Sequence, residues 1–138
     1  MIIGYTTGVF DLFHIGHLNI LKRAASHCDK LIVGVTSDEF AMKYKKKKPV
    51  VPFKERFEII KSIKYVDEVF TQNNHDKFKQ WQRLKFNVMF VGNDWKNTKK
   101  WNGFEKQFSK VNVKIMYFER TPTTSSTQLR KKINNDNQ

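Results

Sequence analysis

Short apolar runs rich in β-branched residues alternate along this chain with segments whose apolar positions recur at three- and four-residue steps. Residues 2–6 (Ile-Ile-Gly-Tyr-Thr) and 31–36 (Leu-Ile-Val-Gly-Val-Thr) predict strands, as do 66–70, 87–91 and 113–118. Leu18, Leu21, Ala25 and Cys28 predict a first helix, and Phe57, Ile60 and Ile63 a second that starts near Pro52. Phe78, Trp81 and Leu84 mark a third, Phe104 and Phe108 a fourth, and Leu129 with Ile133 a short last one. Strands separated by helices predict an α/β fold, a five-stranded parallel sheet with helices on both faces. Ligands of such sheets bind beyond the carboxyl ends of the strands, where the strand order reverses. Candidate chemistry is therefore sought in the segments that follow the strands.

Composition narrows the picture. A length of 138 residues predicts one domain, with residues 134–138 expected as a flexible tail. A 39% hydrophobic content that includes 12 Phe excludes a disordered chain. No apolar run approaches the ~20 residues that cross a bilayer, and the first residues lack the basic flank of an export signal. A single cysteine, Cys28, fits a reducing compartment, so a cytoplasmic location is expected. Lys+Arg 26 against Asp+Glu 13 leaves a net charge of +13, which attracts polyanions without choosing among nucleic acid, membrane surface and phosphorylated small molecules.

After the first strand comes Gly8-Val9-Phe10-Asp11-Leu12-Phe13-His14-Ile15-Gly16-His17. Gly8 permits close backbone approach. His14 and His17, three apart, share one side of a helix N-terminus, where free N–H groups and the helix dipole favour an anion. Gly16 leaves room for a ligand against the backbone. Chance, plain polar residues at a helix start, or two metal ligands would also explain the pair, but no recognisable spacing completes a zinc site. After the last strand stand Arg120, Thr121, Thr123, Thr124, Ser125, Ser126 and Thr127. An N-cap accounts for one or two of these hydroxyls; together with Arg120 they read as a second polyphosphate cradle. Gly92-Asn93-Asp94-Trp95 follows strand four, and reads either as a plain turn or as a border for a base and ribose. The run Lys43–Lys48 reads mostly as a solvated loop, with one or two lysines able to fold over phosphate.

These stretches, with Ser37-Asp38-Glu39-Phe40 and Tyr65-Val66-Asp67-Glu68-Val69, resemble the cytidylyltransferase family of the nucleotidyltransferase superfamily, from Gly8 to about Ile133. The resemblance implies a Rossmann-like domain, commonly dimeric. It implies transfer from CTP to an alcohol phosphate, glycerol 3-phosphate first, giving a CDP-alcohol and pyrophosphate with Mg2+ bridging phosphates. Catalysis would then rest on His14, His17, Lys46 and Arg120. The nucleotide would lie against Gly8, Val9, Phe10, Gly16 and the two histidines, against Gly92, Asp94 and Trp95, and against Arg120, Thr121, Ser125, Ser126 and Thr127. The acceptor phosphate would meet Asp11, Lys45, Lys46, Arg56, Lys64 and Lys77. The chain departs from the family at Val9 (often threonine), at Lys64 (arginine), near His75 (tryptophan) and at Thr123-Thr124 (Gly-Ile). Its lysine loop is one residue longer, so which of Lys45, Lys46 and Lys47 answers to the family's pair stays open.

Two other functions compete. One is adenylyl transfer from ATP to a sugar phosphate, within the same superfamily. The other is a basic nucleic-acid-binding module, against which stand the even spread of the basic residues and the lack of any aromatic-basic motif.

Overall fold

The computed structural model describes residues 1–119 and 126–136, with side chains through residue 119 and from Leu129 to Asn135. Five strands, β1 (Ile3–Gly8), β2 (Lys30–Thr36), β3 (Glu68–Gln72), β4 (Val88–Gly92) and β5 (Lys114–Phe118), form one sheet in the order β3-β2-β1-β4-β5. Every neighbouring pair is parallel. The crossovers carry α1 (Ile15–Ala25), α2 (Asp38–Lys45) with α3 (Phe53–Lys61), α4 (Lys77–Leu84) and α5 (Lys99–Ser109), and α6 (Ser126–Asp136) follows β5. The chain moves outward from β1 to β3, then returns to the other side of β1 with β4. The switch point therefore lies between β1 and β4.

Alternation along β2 divides the core into two layers. Leu31, Val33 and Val35 pack with Leu21 and Ala24 of α1 and Ile60 of α3, while Ile32 joins Tyr5, Met89, Trp101 and Phe108 on the face covered by α4 and α5. Period-two side chains on a strand buried on both faces produce this division.

Three of the differences from the sequence pattern bear on the site and its surroundings. β3 runs two residues later than 66–70, because its register carries it to the end of β2, where Thr36 pairs with Gln72. The lysine run begins inside a helix: Ser37 Oγ accepts from Phe40 N–H at 3.1 Å to start α2, and Lys46 at φ 55° ends it. α2 buries only Ala41, which is why no apolar period announces it. α6 continues to Asp136, into the stretch expected as a tail.

Candidate active site

β1 ends at Gly8, where an added Cβ would lie 3.1 Å from the Phe10 ring. Two large residues then adopt left-handed backbone, Phe10 at φ 54° and Leu12 at φ 52°. Such conformations cost on the order of 1–3 kcal/mol each and persist only where the surroundings impose them. Asp11, between them, supplies the restraint. Its carboxylate is 2% exposed and accepts from the N–H groups of Val50 and Val51, each at 2.8 Å, and from Arg130 of α6. Burial alone would raise this carboxyl; the Val51 and Val50 amides and then Arg130 outweigh it and hold the group below the usual carboxylate range. Asp11 thus binds three chain segments together. It does not present itself to an acceptor phosphate, as the family resemblance led us to expect.

The restrained loop delivers His14 to the N-cap of α1. His14 Nδ1 accepts from Gly16 N–H at 2.9 Å, and His17 Nδ1 accepts from His14 N–H at 3.2 Å, a reciprocal capping box made of two imidazoles. The rings stack with centroids 4.0 Å apart, and Phe13 and Phe10 flank His17 at 5.3 and 5.6 Å. An Nδ1 that accepts a hydrogen bond carries no proton, so both neutral rings hold theirs on Nε2. Burial lowers His14, and burial followed by the charge of His14 lowers His17 to about 4, against a smaller opposing effect of Asp11. At neutral pH the pair therefore offers two Nε2–H donors without charge, at a helix end whose amides and dipole attract an anion.

Arg56 is a second restraint. Its side chain is fully buried, and its donors reach Val51 O at 2.8 Å, Val9 O at 2.7 Å, Thr36 O at 2.8 Å and Asp38 Oδ1 at 2.5 Å. Asp38 also accepts from Phe53 N–H at 3.1 Å and so caps α3, whose N-cap residue Pro52 has no side-chain donor or acceptor. A guanidinium with four of its five N–H groups spent on the chain holds the loops after β1 and β2 to α3. The expectation that Arg56 meets the acceptor phosphate is corrected accordingly.

On the other side of β1, Lys77 opens α4 and is buried. Its Nζ donates to Thr7 Oγ1 at 3.0 Å, its one hydrogen-bond partner among the described residues. Burial, and then Lys100 and Lys45, lower its ammonium to about 7. The structure thus brings Lys45 into the field of Lys77, whereas Lys47 and Lys48 line a cleft with Val50 and the α6 residues Arg130, Ile133 and Asn134. Lys46 is the exposed left-handed residue that ends α2. Lys64 is not brought to this edge. It precedes β3, exposed, with its ammonium 5.2 Å from the Tyr65 ring centroid, and roughly 16 Å of strand separates the two ends of β3.

At the end of β4, Gly92 caps a single 3-10 turn, Asn93–Trp95. Nothing lies within 4 Å of a Cβ built on Gly92, and Trp95 is 49% exposed, so this turn is open to solvent. Val9 contributes its carbonyl to Arg56. Arg120, Thr121, Thr123, Thr124 and Ser125 lie outside the described residues; Ser126 and Thr127 fall in the first turn of α6. Sequence reasoning missed Thr7 as the partner of Lys77 and Asp38 as the partner of Arg56. A threonine ending a strand and an aspartate in a Ser-Asp-Glu helix start carry no signal of partners 70 and 18 residues away.

Two outcomes follow from these restraints. Arg56→Lys, whose single ammonium cannot span four acceptors, should lower unfolding free energy in urea by more than about 3 kcal/mol, since each buried carbonyl left unpaired costs roughly 1–3 kcal/mol. His17 binds its proton more weakly folded, at about 4, than at its ordinary 6.5. The unfolded chain then takes the proton first, and stability is full above pH 6.5 and lost as the pH falls toward 4. His17→Gln keeps an acceptor at the same cap position, so it should reduce the slope of stability between these pH values.

Comparison with known proteins agrees with this geometry. The Cytidylyltransferase-like family model matches residues 5–132. A glycerol-3-phosphate cytidylyltransferase of Bacillus spizizenii is 35% identical over 127 residues, covering 91% of this chain and 92% of its own length. A FAD synthase of Archaeoglobus fulgidus is 33% identical over 130 residues, with 92% and 93% covered. Among solved structures, the lipopolysaccharide core biosynthesis protein of Thermoplasma volcanium superimposes with a TM-score of 0.73 at 26% identity, covering 88% of this chain and 97% of that one. No described helix is long and apolar enough to cross a membrane. With a switch-point helix start capped by two imidazoles and a family model spanning nearly its whole length, the chain belongs to the cytidylyltransferase-like family.

Proposed function

We propose that the protein transfers the cytidylyl group of CTP to glycerol 3-phosphate, releasing pyrophosphate. The reading rests above all on the paired Nε2–H donors of His14 and His17 at the start of α1, with the buried Lys77 ammonium on the opposite side of β1. The similarity to glycerol-3-phosphate cytidylyltransferases supports the choice of acceptor.

An oxygen of the acceptor phosphate attacks the α-phosphorus, and the bond from that phosphorus to the α–β bridging oxygen breaks. The attacking group is already an anion, so no general base is required. The protein's work is positioning and relief of charge. The two imidazoles donate to α-phosphate and bridging oxygens as negative charge moves onto pyrophosphate. Lys77 attracts the acceptor phosphate as a point charge, with Lys45 adding to the field. Ser125, Ser126 and Thr127 take the terminal phosphates, Arg120 and Thr121 belong to the nucleotide site, and Gly92, Asp94 and Trp95 border the ribose and base. Mg2+ bound with the nucleotide would supply charge neutralisation to the phosphates. Residence in the cytoplasm and a dimeric state belong to the same reading. The FAD synthase relative favours one alternative, adenylyl transfer from ATP on this same site.

Pyrophosphate release is measured with CTP or ATP against glycerol 3-phosphate. Release with CTP alone is expected; release with ATP alone would replace the cytidylyl reading by the adenylyl one. His17→Ala should lower kcat about 10²–10³-fold, as loss of a preorganised donor does, and a variant within threefold of wild type would contradict its role. Lys77 loses its charge above about pH 7. The acceptor kcat/KM should therefore fall on the alkaline side with a midpoint near 7, a limb absent in Lys77→Met.

A further inference from the structure

Three aromatic rings meet beside Lys77, outside both layers of the core. Phe40 and Tyr44 lie one turn apart on α2, and His75 stands between β3 and α4. The ring centroids are 4.5 Å apart for Phe40 and Tyr44, 4.6 Å for Phe40 and His75, and 3.8 Å for Tyr44 and His75, whose planes meet at 74°. Clustered rings of this kind commonly receive a ligand's ammonium group through their negative faces.

The charges here point the other way. Lys43 Nζ lies 5.5 Å from the Tyr44 centroid, so a cation of the chain itself already sits over that face. Burial lowers His75, and Lys100, Lys77 and Lys43 lower it further, each of them a cation. The nearby carboxylates are committed or outward: Asp38 to Arg56, Asp76 to Lys79 N–H at 2.9 Å, and Glu39 to solvent. A ligand ammonium entering this corner would meet repulsion from several lysines.

We propose that the Phe40–Tyr44–His75 cluster, with Lys43 over Tyr44 and Lys77 buried two residues from His75, is an acceptor filter. It admits phosphates of uncharged alcohols and rejects those that carry an ammonium group. The proposal rests on the cytidylyl-transfer reading and adds the class of alcohol and the residues that choose it. His75 supplies a neutral ring edge for a hydroxyl, and the lysines exclude a second positive charge.

The test compares kcat/KM for glycerol 3-phosphate and choline phosphate, by CTP-dependent pyrophosphate release from the full chain, in wild type, Lys43→Glu and Lys100→Glu. Wild type should prefer glycerol 3-phosphate. Lys43→Glu should narrow the ratio about tenfold through a gain on choline phosphate, the scale of one cation–π contact won, and Lys100→Glu should shift it in the same direction. An unchanged ratio in folded variants that still use glycerol 3-phosphate overturns the filter, as does a wild type that uses both acceptors equally. Should Lys43→Glu fail to fold by circular dichroism, Lys100→Glu decides. A wild type inactive with either acceptor overturns instead the transfer reading beneath it.

Discussion

The amides that open α1 need acceptors, and two imidazole nitrogens supply them. This constraint sets the chemistry of the site. Because His14 Nδ1 and His17 Nδ1 are spent on the backbone, the protons of both neutral rings are confined to Nε2. Protonating either ring at Nδ1 would break its cap bond, so cap and tautomer are one property. The helix end contributes dipole and amides, and the rings contribute two directed donors, all fixed before a ligand arrives.

Such a cap is only as well placed as the loop that leads to it. Phe10 and Leu12 are held in a backbone region that their side chains disfavour, and the restoring forces come from elsewhere in the chain. Asp11 fastens the loop to Val50, Val51 and α6, and Arg56 fastens it to β2 and α3 through Val9 and Thr36. Two charged side chains that touch no substrate in this account thus decide where the donors stand. Their burial is tolerable because their bonds are directed to chain groups that would otherwise be unpaired.

The sequence made the sheet, its layers and the two histidines legible for separate physical reasons. Strand and helix periods are written in local apolar spacing, and a His-x-Gly-His at a helix start has few local explanations. Arg56 and Asp11 were misjudged because a charged residue near a phosphate motif looks the same in sequence whether it faces the ligand or the backbone. Only the fold shows Arg56 meeting carbonyls from three segments. Lys64 was assigned to the acceptor phosphate by resemblance alone, and the fold leaves it before the start of β3, away from the strand's carboxyl end. α2 escaped notice because it buries a single alanine, and with it escaped the ring cluster that Phe40 and Tyr44 build with His75.

The central claim is that His14 and His17 act as neutral Nε2–H donors, and imidazole 15N NMR of the ligand-free protein across pH 4–8 tests it most directly. The account predicts both rings neutral at pH 7 with the proton on Nε2, and a His17 midpoint near 4. A charged ring at pH 7, or a proton on Nδ1 of either histidine, would contradict it.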